Sequence, residues 1–129
     1  MEVYKTKWFR RFARREKITD AMLCDAVARA ERGQVDADLG GGVIKQRMAR
    51  KGQGRSGGYR SLIVYRIDDR AIFVFGFAKS DQDNLEPDEL ADLKTAAKLL
   101  LGYDADDLEE AVTKGELWEV DCDAEAIQE

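Results

Sequence analysis

The chain contains no histidine, a single proline and only two cysteines, Cys24 and Cys122, in 129 residues. Without histidine there is no Ser-His-Asp or Cys-His nucleophile system, no imidazole base and no histidine-containing zinc set. The two cysteines form no Cys-x-x-Cys pair, and they are too few and too far apart in sequence to read as a disulfide framework. Cys24, inside an amphipathic segment, reads as a packed structural thiol. The matching compartment is a reducing cytoplasm. Apolar runs fall far short of the roughly 20 residues that cross a bilayer. Met1 to Lys17 alternates bases with aromatics and has no apolar leader core, so neither a membrane nor secretion is expected. A phosphate-binding loop is excluded as well: Gly52-Gln53-Gly54-Arg55-Ser56-Gly57-Gly58 lacks the Gly-Lys-Ser/Thr ending and leads into a strand. No metal and no cofactor is expected.

What the chain does contain is charge, unevenly placed. Hydrophobic residues make up 44% and charged residues 36%, the composition of a folded domain with a charged exterior, and the length suits one domain. The net charge of −5 conceals two opposite parts. Residues 1–80 carry 18 Lys/Arg against 9 Asp/Glu, whereas residues 81–129 carry 3 against 17. A basic part followed by an acidic one is expected where one surface meets a polyanion. The stretch 45–60 sharpens this, because Lys45, Arg47, Arg50, Lys51, Arg55 and Arg60 have no acidic residue among them.

The periodicity predicts an opening strand at Glu2 to Thr6. A helix follows from Lys7, with Trp8, Phe9, Phe12 and Ala13 apolar and Arg10, Arg11, Arg14 and Arg15 opposite. Thr19 caps a second helix, which stops at Arg32-Gly33. The period then changes to two. Val35, Ala37 and Leu39 alternate with polar residues, Gly40 to Gly42 turn the chain, and 43–48 form a strand. On that strand Val43, Lys45 and Arg47 share one face and Ile44, Gln46 and Met48 the other. Ala49 to Gly58 reads as a glycine-rich basic loop. Tyr59 to Ile67 and Ala71 to Ala78 are β-branched, aromatic strands. Pro87 opens a helix ending at Gly102, Asp104 or Asp106 opens a short acidic helix running to Gly115, and Leu117, Val120 and Cys122 add a final strand. Helices, then a meander joined by turns too short for parallel crossovers, then helices, is an α+β plan with an antiparallel sheet.

The chemistry lies in cations on strands. Lys45 and Arg47 project from one face about 6–7 Å apart, Arg60 opens the next strand, and Lys79 ends the one after it. Arginine binds a phosphate through two parallel hydrogen bonds and stabilises added charge. A lysine crowded by other cations becomes a general base toward a 2′-hydroxyl. Arg50, Lys51 and Arg55 offer phosphate contacts from the loop. Tyr59 and Tyr65 offer stacking surface for bases, set against the commoner role of strand aromatics in a core. The paired carboxylates Asp106-Asp107 and Glu109-Glu110 read as a solvated helix face. By themselves these residues describe a nucleic-acid-binding module.

The stretch Arg55-Ser56-Gly57-Gly58-Tyr59-Arg60, running into Leu62 to Tyr65, resembles the R-S-x-G-Y-R strand entry of RelE/HigB-type toxins of the RelE/ParE superfamily. Phe75-Gly76-Phe77-Ala78-Lys79-Ser80 resembles the segment that follows. GGYRSLIVY together with FVFGFAKSDQDNLEPDEL is similar to a phage-related RelE-like branch. The resemblance covers most of residues 1–101. It implies a RelE-like toxin domain over 1–102, with residues 103–129 as a packed acidic extension of helix and strand. The implied fold is a twisted antiparallel sheet with helices packed on one face and a concave basic face on the other. The implied activity is that of the toxin component of a type II toxin–antitoxin system. Such a toxin is a metal-independent endoribonuclease that cuts mRNA, in many members only on the ribosome, and is held by an antitoxin encoded next to it.

Carried onto this chain, Lys45 and Arg47 lie where the family often has a Lys-x-Lys pair, and Arg60 closes the Gly-Tyr-Arg motif at a phosphate-binding position. Lys79 is adjacent to a further functional basic position. The chain departs from RelE itself in having Ser80 and Glu86 where an arginine and, six residues later, a tyrosine stand. Two alternatives keep the same fold: a ParE-like toxin that acts without catalysis on a protein such as DNA gyrase, and a catalytically silent nucleic-acid-binding regulator.

Overall fold

Thr6 both ends the first strand and starts the first helix, its hydroxyl accepting from the Phe9 backbone N–H at 3.2 Å. That satisfies one of the donors a helix start leaves open. Thr19 repeats the device at the second helix, accepting from the Met22 N–H at 3.3 Å. The computed structural model describes residues 1–50, 54–82 and 84–122, with the side chains of residues 50 and 54–57 excepted. Along the chain come β1 (Glu2–Thr6), α1 (Lys7–Glu16), α2 (Asp20–Glu31), β2 (Ala37–Gly40) and β3 (Val43–Arg50). They are followed by β4 (Gly54–Arg66), β5 (Arg70–Ala78), α3 (Pro87–Leu101), α4 (Ala105–Thr113) and β6 (Leu117–Glu119). The α+β class expected from the sequence is the class observed.

The six strands form one sheet in the order β2-β3-β4-β5-β1-β6. Most neighbours are antiparallel, but β1 runs parallel to β5, from Glu2 opposite Arg70 to Lys5 opposite Phe73. This corrects the expectation of a wholly antiparallel sheet. The turns between successive strands are short, but the connection from β1 to β5 contains two helices and three strands, ample for a parallel crossover. β3 and β4 are also longer than expected. They stay paired beyond a register shift to Arg50 opposite Gly54, so of the segment 49–58 read as a loop, residues 49–50 belong to β3 and 54–58 to β4. Ladder pairing there outweighs the low strand propensity of glycine.

Both faces of the sheet are buried. α1 and α2 pack on one, where Phe9, Phe12, Leu23 and Val27 meet Ile44, Met48, Ile63 and Phe73. α3 and α4 pack on the other, where Leu93, Ala97, Leu100 and Leu108 meet Val43, Leu62, Val64 and Ile72. The single helical layer implied by the resemblance is thus corrected to two layers, with the N-terminal and C-terminal helices on opposite faces. Period-two alternation sends Val43 and Ile44 to different cores, each buried large apolar side chain contributing roughly 1.5–3 kcal/mol. β5, apolar on both sides, reads as a continuous run for this reason. Close approach is built in at Gly76, where a Cβ would lie 2.7 Å from the Phe12 ring.

α3 is fastened at one end of its face. The Arg70 guanidinium donates to the carbonyls of Leu100 at 3.0 Å and Tyr103 at 2.7 Å, and Arg66 donates to that of Leu101 at 3.1 Å. These cations satisfy helix C-terminal carbonyls that would otherwise lack partners. At the start of α4 the backbone N–H of Asp104 donates to the Asp107 carboxylate and that of Asp107 to the Asp104 carboxylate, a reciprocal cap that fixes Asp104 as the opening residue. β6 ends at Glu119 and pairs with β1, so Cys122 lies beyond it.

Cys24 and Cys122 form a disulfide with their Cα atoms 5.4 Å apart, correcting the reading of Cys24 as a separate packed thiol. A sequence separation of 98 gives no hint of it. The pairing becomes visible only once the sheet brings the segment after β6 beside α2.

Candidate nucleic-acid interface

Lys45, Arg47 and Arg60 occupy one face of the β3–β4 ladder. Arg47 is directly opposite Arg60, and Lys45 is opposite Leu62. Leu62 belongs to the core under α3 and α4, so all three cations lie on that face, beyond its apolar part. Arg47 is exposed and Lys45 half-buried, with its Nζ 3.5 Å from the Asn84 Oδ1. Arg60 is only 6% exposed and donates to the Tyr59 carbonyl at 3.4 Å. Burial, and then the like charge of Arg47, lowers the pKa of the Arg60 guanidinium, while Asp36 offsets part of the shift. Two arginines opposed in a ladder repel each other, which an anion placed between them would relieve.

The backbone beneath Arg47 is held from behind. Its N–H donates to the Asp36 Oδ2 at 2.6 Å, and its carbonyl accepts from the buried Arg29 guanidinium of α2. Arg29 also lies 3.2 Å from the Asp25 carboxylate and 3.5 Å from that of Asp36. Gln46, fully buried, completes this support. Its amide donates to the Ala26 carbonyl at 2.9 Å and the Gln34 carbonyl at 3.3 Å, while its Oε1 accepts from the Asp36 N–H at 2.8 Å. Sequence reading missed Arg29 and Asp36. The available signal was a lone arginine at the margin of the apolar stripe of α2, with Asp25 one turn before it.

The remaining expected site residues fare differently. Lys79 is exposed in the turn just after β5, where its N–H donates to the Gly58 carbonyl at 3.0 Å. Tyr59, expected to stack on RNA, is corrected to a core residue. It is 4% exposed on the α1/α2 side, packs edge-on against Phe12, and donates its hydroxyl to the Glu16 carbonyl at 3.2 Å. Tyr65 is partly buried and packs against the same core. The side chains of Arg50 and Arg55, and the whole of Lys51, lie outside the described residues. Glu86, which the resemblance sets against a tyrosine, is the residue that precedes and caps α3. Among the described residues no helix is long and apolar enough to cross a membrane.

A family model for the RelE toxin of the RelE/RelB toxin–antitoxin system matches residues 1–120. Neither the curated proteins nor the solved structures yield a match. With the family model spanning every strand and helix just described, the chain belongs to the RelE toxin family, the toxin side of a toxin–antitoxin pair.

Proposed function

We propose that this toxin is a metal-independent endoribonuclease that cleaves mRNA, in the phage-related, HigB-like branch of its family, and that its partner is an antitoxin encoded beside it. The observation that carries the reading is the opposition of Arg47 and Arg60 on one sheet face, with Lys45 on the same strand as Arg47. In the proposed reaction the 2′-oxygen of a nucleotide attacks the adjacent phosphorus and the bond to the 5′-oxygen breaks. The products are a 2′,3′-cyclic phosphate and a free 5′-hydroxyl, with one proton leaving the 2′-hydroxyl and one reaching the departing oxygen. Arg47 and Arg60 would bind the phosphate and stabilise the charge it gains in the transition state, where fixed cations and donors lower a barrier most effectively. Lys45, and Lys79 from its turn, would carry protons or bind the flanking phosphates.

Primer extension on a translated message tests this. Discrete breaks on induction, absent from an Arg60→Ala variant that melts like the parent, are the expected result. The expected loss is a hundredfold or more, the scale of removing one charge-stabilising donor worth about 3–4 kcal/mol. Arg60→Lys should recover only part, since an ammonium lacks the two-pronged geometry. Intact message with induced DNA damage would favour the ParE-like alternative, and normal growth with abundant folded protein the silent regulator.

A further inference from the structure

Trp8 falls in the apolar stripe that periodicity gives α1, yet it is 43% exposed. Its backbone position explains why. The β1–β5 pairing ends at Lys5 opposite Phe73, where the chain turns into α1, so among the described residues no strand pairs with that edge of β5 beyond Phe73. Trp8 lies over that edge, its ring centroid 4.5 Å from that of Phe75 and 5.5 Å from that of Phe12. Phe75 is half-buried on the cationic face of the sheet, opposite Leu62, which is itself opposite Lys45. Phe77 is opposite Arg60, and its ring is 6.4 Å from that of Phe75. On this face cations on β3 and β4 are thus followed by rings on β5, with Trp8 of α1 at the edge beside Phe75. With strands about 4.8 Å apart, Lys45 and Phe75 stand roughly 10 Å from each other across the sheet. Beyond Trp8 the helix continues basic: Arg11 and Arg15 follow at three and seven residues, on the same side, and Glu16 is the only acid of α1. Arg15 already lies over the Phe12 ring at 5.6 Å.

We propose that Trp8 and Phe75 form a stacking platform for a nucleobase of single-stranded RNA beside the Arg47/Arg60 pair, and that Arg11 and Arg15 receive the next phosphates along α1. This rests on the RNA-directed reading of the same face. An apolar segment of a protein would also cover an exposed indole, but a protein segment has no general need of arginines at both ends of the patch. A polynucleotide strand does, because it alternates flat rings with anions. Stacking also accepts any base, since each has a π-face. The platform thus replaces the role that Tyr59, buried on the opposite face, does not fill.

The test uses the full chain with Trp118→Phe, so that Trp8 is the only indole, and an oligoribonucleotide 2′-O-methylated throughout to block cleavage. Binding should quench Trp8 emission, and a single abasic position should relieve the quenching at one register of the oligonucleotide. Trp8→Leu should weaken binding about tenfold, with Trp8→Phe recovering most of it. Arg11→Gln should reduce the slope of log affinity against log salt by about one. Equal melting temperatures for the parent and the Trp8 variants assure that the fold is intact. If the oligonucleotide binds in an Arg47-dependent way but Trp8 is unquenched and Trp8→Leu binds as the parent does, the platform is wrong and the RNA reading stands. If the parent binds no RNA at all, both fall. If Trp8→Leu impairs only association with the antitoxin, the patch is a protein-docking surface and the proposal is overturned.

Discussion

Arg47 and Arg60 stand directly opposite one another across the β3–β4 ladder, one exposed and the other buried. Like charges so placed oppose folding by roughly 0.2–1 kcal/mol. Arg47→Ala should therefore raise the melting temperature slightly while abolishing most of the proposed RNA cleavage. A thermal melt and a cleavage assay on the same preparation check this. A lowered melting temperature with activity kept would make Arg47 a scaffold residue.

Tyr59 and Tyr65 share a core but differ in their hydroxyls. That of Tyr59 reaches the Glu16 carbonyl, whereas that of Tyr65 is buried with no hydrogen-bond partner among the described residues. An unsatisfied buried hydroxyl costs about 1–3 kcal/mol, and a formed hydrogen bond contributes about 1 kcal/mol. Tyr59→Phe should therefore lower stability by about 1 kcal/mol, and Tyr65→Phe should raise it. Urea unfolding of the pair decides the matter, and a loss of stability in Tyr65→Phe would contradict it.

Much of the fold is legible in the sequence, and particular residues show why the rest is not. β4 and β5 announce themselves by β-branched and aromatic alternation, and Thr19, Pro87 and Gly102 mark helix ends by local chemistry. Alternation also places Lys45 and Arg47 on one face. It does not say that both faces are buried, so Tyr59 reads as a surface ring although it is one position from Arg60 and points the other way. Lys79 lies in a turn, where alternation carries no information. The place of β1, like the disulfide, depends on pairings between distant segments that no local pattern records.

Asp69 links the two arginines that hold the end of α3, accepting from the Arg66 Nε at 2.6 Å and the Arg70 Nε at 3.0 Å. The hydrogen bond from Arg66 is the main reason its carboxyl is held below its ordinary pKa of 3.8. A carboxylate depressed in the folded state stabilises it above the unfolded value, and that contribution is lost as pH falls through the folded one. Asp69→Asn should accordingly melt below the parent at pH 7, with the gap closing as the pH drops below 3.8. A gap that persists in stronger acid would show that the ion pairs are not its source.

The Cys24–Cys122 disulfide closes a long loop, with 98 residues of sequence separation. Such a cross-link restricts the unfolded chain, and typical contributions are about 2–4 kcal/mol. Dithiothreitol should lower the melting temperature of the parent and leave that of a Cys24→Ser/Cys122→Ser variant unchanged. Identical melts for the parent with and without reductant would remove the cross-link from any account of stability.

β1 is made before the other five strands of the sheet, yet it sits fifth of six across it, between residues 70–73 and 117–119. Its second edge stays bare until Leu117–Glu119 are made, and pairings over such distances close slowly. A nascent chain cut short before then would display Lys45, Arg47 and Arg60 on a hairpin whose sheet still ends in an open strand, a template for joining other chains. Completion of the sheet thereby waits for the last of its six strands to be made. The strand made first is thus the one whose place in the sheet is settled last, after all five others have been synthesised.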